Sequence, residues 1–525
     1  MLGATGTGKT NLLLRLIESD LAARRSLCVI DLRGDLVDRI LLRLAKSETA
    51  DTLRDRLLLI DLRDQEQIVG FNPLLGAGET YSRAFHLLGV LRQQAESWGI
   101  QLEETLRNSL IALAETGWSL LEIEPLLSHA GFRASVLAQV QDSYVRAFFA
   151  RYNDLSEEKQ VTWRLPVLNK VTPLLAIPQL RLMFGQRQSF DFAPLLNEAP
   201  GRIILVSLAI DRLHQAAYLV GGLFVSAFQT AIMARQSLPE AARIPVHFYI
   251  DEFETMATEQ FEAIVAEGRR FGLGLTLSHQ NLSQLPARLR DVLLNNVHTQ
   301  FYFQTGAGDA AILAREIADA KPGADMRTLL LTQGVGESFL LRRGQSGVRV
   351  KILHSPDPKV STDSVQALRQ ASQAVYARPR QEMEREMQAR AAHILLLPSM
   401  SLRTGRTKSD RASARKPEQP TETLPAETDA PCTAHAVEDM DDSYAENASP
   451  IQNFPDASQQ KMPVRSPEAV GKPSPEAGAH ENQEYRDAKP IYEIRHRKPA
   501  GQFKPHAARP LCAPADTGGD PEGTG

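Results

Sequence analysis

The sequence has little cysteine and little net charge, and both shortages exclude classes of protein. Three of the 525 residues are cysteines, Cys28, Cys432 and Cys512, and their spacing forms neither a disulfide framework nor a metal cluster. A reducing cytoplasm is therefore the natural setting. Lysine and arginine number 59 against 63 acidic residues, which gives a net charge of -4. Because there is no global positive charge, a surface that binds nucleic acid must be local.

Long apolar runs are also scarce, and one segment imitates a membrane span. Residues 216–234, AAYLVGGLFVSAFQTAIMA, carry no charge, and a span needs about 20 such residues. Two apolar runs flank the segment, RIILVSLA at 202–209 and IPVHFYID at 244–251. Strand, helix and strand form the pattern of a parallel sheet covered on both faces, so we favour a buried helix over a membrane span. The first residues show no signal-peptide pattern.

A glycine- and threonine-rich stretch near the start has the pattern of a phosphate-binding loop. Residues 3–10, GATGTGKT, fit G-x-x-x-x-G-K-T. Glycines let the backbone curl so that its N–H groups surround phosphate oxygens, while Lys9 adds positive charge and the Thr10 hydroxyl suits Mg²⁺. A turn with a chance lysine is the alternative, which the specificity of the eight-residue pattern disfavours. The predicted nucleotide-binding residues are Gly3, Ala4, Thr5, Gly6, Thr7, Gly8, Lys9 and Thr10.

The phosphate loop begins unusually early in the chain. Such a loop normally follows a buried strand, and here it follows Met1 and Leu2. Either other parts of the fold replace that strand, or the sequence lacks its true N-terminus. We expect the second, with a short β-branched, apolar run immediately upstream of Leu2.

Changes in periodicity divide the first 360 residues into three parts. Alternating helix and strand signals over 1–80 predict the first part of a P-loop ATPase domain without its N-terminal strand. Apolar residues at helical spacing, as in LEETLRNSLIALAET, predict an all-helical insertion over 81–182. Strand signals then return, and 183–360 is predicted to be the second part of the ATPase domain.

The last third of the chain changes character. A charged segment over 361–399 is predicted to be helical and to be interrupted at Pro379. Sixteen of the chain's 31 prolines fall within 400–525, a density too high for a packed core, and the segment has no hydrophobic period. We therefore predict a disordered C-terminal tail. Its basic group at 403–416, RTGRTKSDRASARK, is most simply a solvated stretch, although acidic partners are an alternative.

A second motif supplies the carboxylates that a nucleotide-hydrolysing site needs. In VHFYIDEFETM, residues 246–256, an apolar strand ends at Asp251 and Glu252. Ligands of open α/β sheets bind at the carboxyl ends of the strands. Asp251 is suited to holding Mg²⁺ through water, and Glu252 to taking the proton from a water that attacks the γ-phosphate. Together with the phosphate loop, the pair predicts a protein that hydrolyses ATP.

The next strand signal adds three polar residues to the candidate site. In AEGRRFGLGLTLSHQ, residues 266–280, a strand beside the one that ends at Asp251 would bring Gln280 near the γ-phosphate. There the amide would sense or orient the attacking water. Arg269 and Arg270 lie farther out, where they could reach a neighbouring subunit's nucleotide or simply be solvated.

Seven stretches, taken in order, carry a family resemblance. After the phosphate loop they are VIDLRGD, FNPL, WGIQLEETLRNSLIAL, FYIDEF, EGRRFGLGLTLSHQ and LLNNVHTQFYFQTGAGDA. In this order, over roughly residues 1–350, they resemble the HerA–FtsK superfamily of DNA-pumping ATPases. Within it they are most similar to the coupling proteins of conjugation and type IV secretion, which are TraD/TraG-like.

The resemblance implies more than the residues establish alone. It implies a hexameric homo-oligomer that moves DNA through a central channel and uses ATP with Mg²⁺. It places ATP sites between subunits, each completed by an arginine of the neighbour, which Arg270 matches best by position. It also makes Gln280 the sensor glutamine and likens 81–182 to the all-helical domain of coupling proteins.

We therefore predict a RecA-like α/β P-loop ATPase that translocates DNA in conjugative transfer. The expected partners are DNA and secretion or relaxosome proteins, and the expected place is the cytoplasm, at the inner face of a bacterial membrane. No membrane span is expected in this chain. Two alternatives stay open: a HerA-type helicase of repair or defence, and a non-catalytic subunit that assembles without turning over.

Overall fold

The computed structural model describes residues 1–46, 50–76, 78–93, 95, 97–256, 261–317, 325–398 and 492–494. These residues belong to one unit, Met1–Ser401 with Ala488–Gly525. The predicted tail, 400–525, including its basic group, lies outside the described residues except at Tyr492–Ile494. Those three residues form a strand, which the lack of a hydrophobic period did not predict.

The described part of the chain contains eleven strands in three sheets. They are β1 (Ser26–Asp31), β2 (Leu57–Asp61), β3 (Gln67–Val69), β4 (Ile203–Ser207), β5 (Val246–Ile250), β6 (Leu273–Leu277), β7 (Thr299–Tyr302), β8 (Glu337–Arg342), β9 (Val348–Ile352), β10 (Ala377–Pro379) and β11 (Tyr492–Ile494). The central sheet has the order β2-β4-β1-β5-β6, and all its pairs are parallel. Every residue of β1 and β4 is buried, as expected for parallel strands covered on both faces.

The α-helices surround these sheets. They are α1 (Lys9–Ala22), α2 (Asp35–Lys46), α3 (Ala50–Arg54), α4 (Thr80–Gln93), α5 (Ile100–Glu115), α6 (Ile123–Ser128), α7 (Ala130–Leu137), α8 (Ser143–Asn153), α9 (Glu157–Ala176), α10 (Pro178–Phe184), α11 (Phe192–Asn197), α12 (Ile210–Leu213), α13 (Gln215–Met233), α14 (Phe261–Glu267), α15 (Ala287–Asn296), α16 (Ala307–Glu316), α17 (Met326–Thr332), α18 (Thr362–Tyr376) and α19 (Arg380–Leu396).

Apolar side chains bury both faces of the central sheet. On one face Leu27 and Val29 of β1 join Leu14 of α1 and Ile40 of α2 in one cluster. On the other face the alternate residues of the same strands join a larger cluster that includes α13 and the helices of the insertion. The strand period of two therefore divides the core into two layers.

Helices fill the chain between β3 and β4. They include α4 to α11, and their core continues into the sheet through stacked aromatic rings. Phe71, in the FNPL stretch, stacks on Phe224 of α13 with ring centroids 4.5 Å apart and on Phe190 at 5.5 Å. The helical insertion thus shares one hydrophobic core with the central sheet.

The apolar segment predicted as a buried helix forms α13. By length and composition it is the one described helix that could cross a membrane, over Gln215–Ser237, and 72% of its most apolar window is buried inside the molecule. Core helices of soluble domains pass the same test, so its composition is weak support for a membrane span. The βαβ connection from β4 through α13 to β5 accounts for its apolar surface.

A second sheet has the order β11-β9-β8-β7, and all three of its strand pairs are antiparallel. Leu2 lies between the two sheets and makes parallel bridges to His279, just after β6, and to Tyr302 of β7. Its N–H donates to the Phe301 carbonyl at 2.9 Å. Leu2, just before the phosphate loop, therefore pairs like a strand residue between the two sheets. A strand upstream of it stays a prediction.

The charged segment after residue 361 covers the opposite edge of the central sheet. It forms α18 and α19, with the break at β10, which pairs with β3. The outward N–H of Leu59 on edge strand β2 donates to the Ser372 hydroxyl of α18 at 2.8 Å. Arg369 of the same helix pairs with Asp61 and Asp38. A helix thus satisfies part of a strand edge that would otherwise invite pairing with another chain.

Candidate active site

The phosphate loop has a conformation that two of its glycines make possible. Gly6 has φ +77° and Gly8 has φ +111°, in the left-handed region that side chains disfavour. Gly8 precedes α1, so the loop leads directly into the N-terminus of a buried helix. The positive end of the helix dipole and its unpaired N–H groups favour an anion at this point.

Residues next to β7 and β8 of the second sheet contact the phosphate loop. The Gly336 N–H donates to the Thr7 carbonyl at 2.9 Å, and the Ala4 N–H donates to the Gln304 carbonyl at 2.8 Å. A Cβ added at Gly3 would stand 2.5 Å from Cβ of Phe303, and one at Gly8 would stand 3.2 Å from Cα of Gly336. These close approaches explain why glycine is needed at the two positions.

The Lys9 side chain folds back over the loop. Its Nζ donates to the Gly3 carbonyl at 2.7 Å and to the Ala4 carbonyl at 3.0 Å. Burial lowers the pKa of Lys9, an effect that the carboxylates of Asp251 and two nearby glutamates oppose. An ammonium group in this position is available for phosphate oxygens bound in the loop.

Thr10 and Asp251, each predicted from the sequence to hold Mg²⁺, lie close together. Thr10 Oγ1 lies 3.4 Å from Asp251 Oδ2, across the junction of α1 and the end of β5. Burial raises the pKa of Asp251, so a bound cation would stabilise its charged form. Among the described residues no group of three or more histidine, cysteine or acidic side chains could hold a metal by itself. The pair therefore fits Mg²⁺ that is completed by phosphate and water oxygens.

Glu252 and Gln280 form a hydrogen-bonded link to the phosphate loop. Gln280 Nε2 donates to Glu252 Oε1 at 2.9 Å, and Thr5 Oγ1 donates to Gln280 Oε1 at 2.9 Å. The link joins the ends of β5 and β6 to the loop, as the strand order predicted. Glu252 adopts φ +52°, a left-handed conformation that is costly for a residue with a side chain. The strained residue stands between β5 and the 3₁₀ turn Phe253–Thr255.

Two residues at the end of β1 join the site without having been predicted. Arg33 Nε lies 3.9 Å from Glu252 Oε1, and the Arg33 side chain is 63% exposed. Asp31 accepts the N–H groups of Arg33 at 3.1 Å and Val37 at 3.0 Å, and burial raises the pKa of Asp31. The VIDLRGD stretch was a usable signal, because β1 neighbours β5 and both strands end at the same edge.

Arg269 and Arg270 lie away from the phosphate loop of their own chain. They occupy a 3₁₀ turn, Gly268–Phe271, just before the amino end of β6, and both are exposed. Gln280 follows the carboxyl end of the same strand, so β6, about 16 Å long at a rise of about 3.3 Å per residue, separates the two arginines from it. The Arg270 carbonyl accepts a hydrogen bond from Arg243 at 2.6 Å, which leaves the guanidinium outside that contact.

Fold and site together define a RecA-like P-loop ATPase fold. A glycine-rich loop leads into a buried helix, α1, and an Asp-Glu pair directly follows β5 of the parallel central sheet. The fold class predicted from the sequence is thus confirmed. Residues 245–321 match the family described as the TraM recognition site of TraD and TraG, so the resemblance to TraD/TraG-like coupling proteins is also confirmed.

Solved structures show the same fold. The bacterial conjugative coupling protein TrwBdeltaN70, in its unbound monoclinic form, is similar with a TM-score of 0.50 and 16% identity, over 68% of this chain and 85% of that chain. Plasmid coupling protein TrwB in complex with ADP and Mg²⁺ matches with a TM-score of 0.50 and 15% identity, over 69% and 86%. Its complex with the non-hydrolysable ATP analogue ADPNP matches equally well, at 16% identity. No curated protein matches the chain.

Proposed function

We propose that this protein is an ATP-driven motor that translocates DNA in conjugative transfer, as a coupling protein. The observation that carries the proposal is the hydrogen-bonded link from Thr5 through Gln280 to Glu252, which ties the phosphate loop to a carboxylate. The match of residues 245–321 to a TraD and TraG segment supports the conjugative role. The TrwB complexes with ADP, Mg²⁺ and ADPNP support these ligands for a protein of this fold.

The site performs hydrolysis by positioning and charge. Residues 3–10 bind the phosphates through backbone N–H groups, and Lys9 neutralises part of their charge. Thr10 and Asp251 would hold Mg²⁺, which would supply positive charge at the γ-phosphate. Glu252 accepts the proton of the attacking water, and Gln280 orients that water from the other side.

A ring of subunits completes the site. Arg270 stands at the opposite end of β6 from its own phosphate loop and is exposed, which suits a residue that reaches a neighbour's ATP. We assign it the trans-acting role in a hexamer whose channel holds DNA. Relaxosome or secretion proteins are the partners that follow from a coupling role, at the inner face of a bacterial membrane.

The proposal is tested first by Glu252→Gln. The variant should still bind ATP, since the phosphate loop is intact, while turnover should fall by about 10²-fold or more, the scale of a lost general base. Binding is measured with a fluorescent ATP analogue, and turnover by phosphate release with and without DNA. Exposed Glu267, at the end of α14, gives a matched control as Glu267→Gln, which should hydrolyse ATP at the wild-type rate.

Two outcomes would count against the proposal. Wild-type turnover in Glu252→Gln would remove this residue from the reaction. A wild-type protein whose ATPase rate is unchanged by DNA, and which displaces no bound strand during hydrolysis, would not be a DNA motor.

A further inference from the structure

A second glutamate stands beside the catalytic pair and has no assigned role. Glu254 lies two residues after Glu252, in the 3₁₀ turn Phe253–Thr255. Its Oε1 accepts the backbone N–H of Gln280 at 3.0 Å. Its Oε2 is buried and has no hydrogen-bond partner among the described residues.

The contact with Glu254 holds the backbone of Gln280, whereas other residues hold its side chain. The Gln280 amide group bridges Thr5 and Glu252, while its backbone is tied to Glu254. Gln280 has left β6 and belongs to the connection that follows, so no ladder hydrogen bond to β5 holds its N–H. The Glu254 carboxylate therefore sets where the backbone of Gln280 lies, and with it the reach of the amide.

The surroundings of Glu254 make its charge sensitive to pH. Burial raises its pKa to about 7, and the carboxylates of Glu252 and Asp251 add to the effect. Lys9 is the facing cation, and its own pKa responds to Glu254. An ionised carboxylate is a stronger acceptor for an N–H group than a neutral carboxyl. The hold on Gln280 should therefore tighten as the pH rises through neutrality.

We propose that Glu254 is a positioning residue of the ATPase site, which acts through Gln280 and does not touch the reacting atoms. The inference rests on the proposed hydrolysis of ATP. It adds that the site needs a third carboxyl beyond the Asp-Glu pair, and that this group sets the pH response of turnover.

Two substitutions of Glu254 distinguish its role as a hydrogen-bond acceptor from the effect of its ionisation. Glu254→Ala removes the acceptor, so turnover at saturating ATP should fall by roughly tenfold, as expected when a catalytic group loses its support, with affinity for an ATP analogue nearly unchanged. Glu254→Gln keeps an oxygen that accepts the Gln280 N–H but cannot ionise. It should retain most of the turnover and should lack the rise in rate between pH 6 and 8 that we expect of the wild type. Glu267→Ala is the control and should match the wild type.

A readout that needs no activity keeps this inference separate from the proposed function. Hydrogen exchange at the Gln280 amide should be slow in the wild type and in Glu254→Gln, and distinctly faster in Glu254→Ala. If the wild type hydrolyses no ATP, the proposed function fails, while the exchange pattern still tests the contact. Wild-type turnover in Glu254→Ala, equal impairment of both variants, or unchanged exchange at Gln280 would overturn the positioning role.

Discussion

Single residues with unusual backbone angles shape the site. Gly6 and Gly8 place the phosphate loop in the left-handed region, and Glu252 takes a positive φ despite its side chain. Such strain persists where the surrounding contacts determine the conformation, and it concentrates at functional sites. Here the hydrogen bond from Gln280 and the turn that follows hold Glu252 at the carboxyl edge of the sheet.

At this scale, the two loop glycines should tolerate substitution unequally. Alanine at Gly8 would be strained and would press on Gly336, whereas a Cβ at Gly6 meets nothing within 4 Å. Strain of about 1–3 kcal/mol predicts that Gly8→Ala loses roughly tenfold or more in ATP affinity, with a smaller loss for Gly6→Ala. Titration with a fluorescent analogue and a thermal melt would measure both. Equal, wild-type affinities would contradict the role given to this contact.

At the scale of elements, α18 acts as a cover for the edge of the central sheet. Its Ser372 accepts the Leu59 N–H, and Arg369 shares Asp61 and Asp38 with Arg63. A charged segment that was predicted to follow the ATPase domain thus packs against the central sheet. The charge pattern predicted the helix, and the structure shows that it packs along the otherwise unpaired edge of β2.

The Asp61 cluster predicts a pH dependence of stability. Burial alone would raise the pKa of Asp61, but hydrogen bonds from Arg63 and Arg369 lower it to about 2. Because this pKa lies below that of the unfolded chain, the stabilisation is present above about pH 4. It should be lost as the pH falls towards 2, by about 2 kcal/mol in the free energy of unfolding.

The comparison of Asp61→Asn with the wild type isolates this effect. Denaturant unfolding between pH 2 and 6 should show a smaller loss for Asp61→Asn than for the wild type. Asp211→Asn, at an exposed position of α12, should keep the wild-type slope. An identical slope for Asp61→Asn would show that the cluster contributes no pH-dependent stability.

At the scale of the whole molecule, two sheets meet at the phosphate loop. The central sheet supplies Asp251 and Glu252, and the second sheet supplies the backing at Phe303 and Gly336. The exposed arginines before β6 lie at the far end of the strand that leads to Gln280. In one chain neither Arg269 nor Arg270 is therefore placed beside Glu252 and Gln280, and Arg33 is the described arginine that lies near Glu252.

We expect that assembly of subunits brings Arg270 of a neighbouring subunit to the site. Activity per chain should rise with protein concentration and further with DNA, since a trans arginine is worth about 10³–10⁵ in rate in well-studied NTPases. Arg270→Ala should abolish both rises and leave ATP binding almost intact. Mixed with Glu252→Gln, it should recover part of the activity, because some interfaces then join an intact Glu252 to an intact Arg270.

One result of the mixing experiment would contradict the trans role of Arg270. If mixed rings form without recovery, and Arg270→Ala alone is as active as the wild type, the trans role belongs to another residue. Arg269, the exposed neighbour in the same turn, would then be tested in the same way.

The sequence by itself determined the fold class and predicted the main site residues, because each depends on a local pattern. The loop at 3–10 needs its glycines and Lys9 in fixed spacing, and Asp251 and Glu252 follow an apolar strand whose end faces the ligand. Only the tertiary structure decided the rest. Glu254, Arg33 and the cover by α18 depend on which strands are neighbours and on how far side chains reach between them. Such contacts join residues distant in the chain and leave no periodic signal in it.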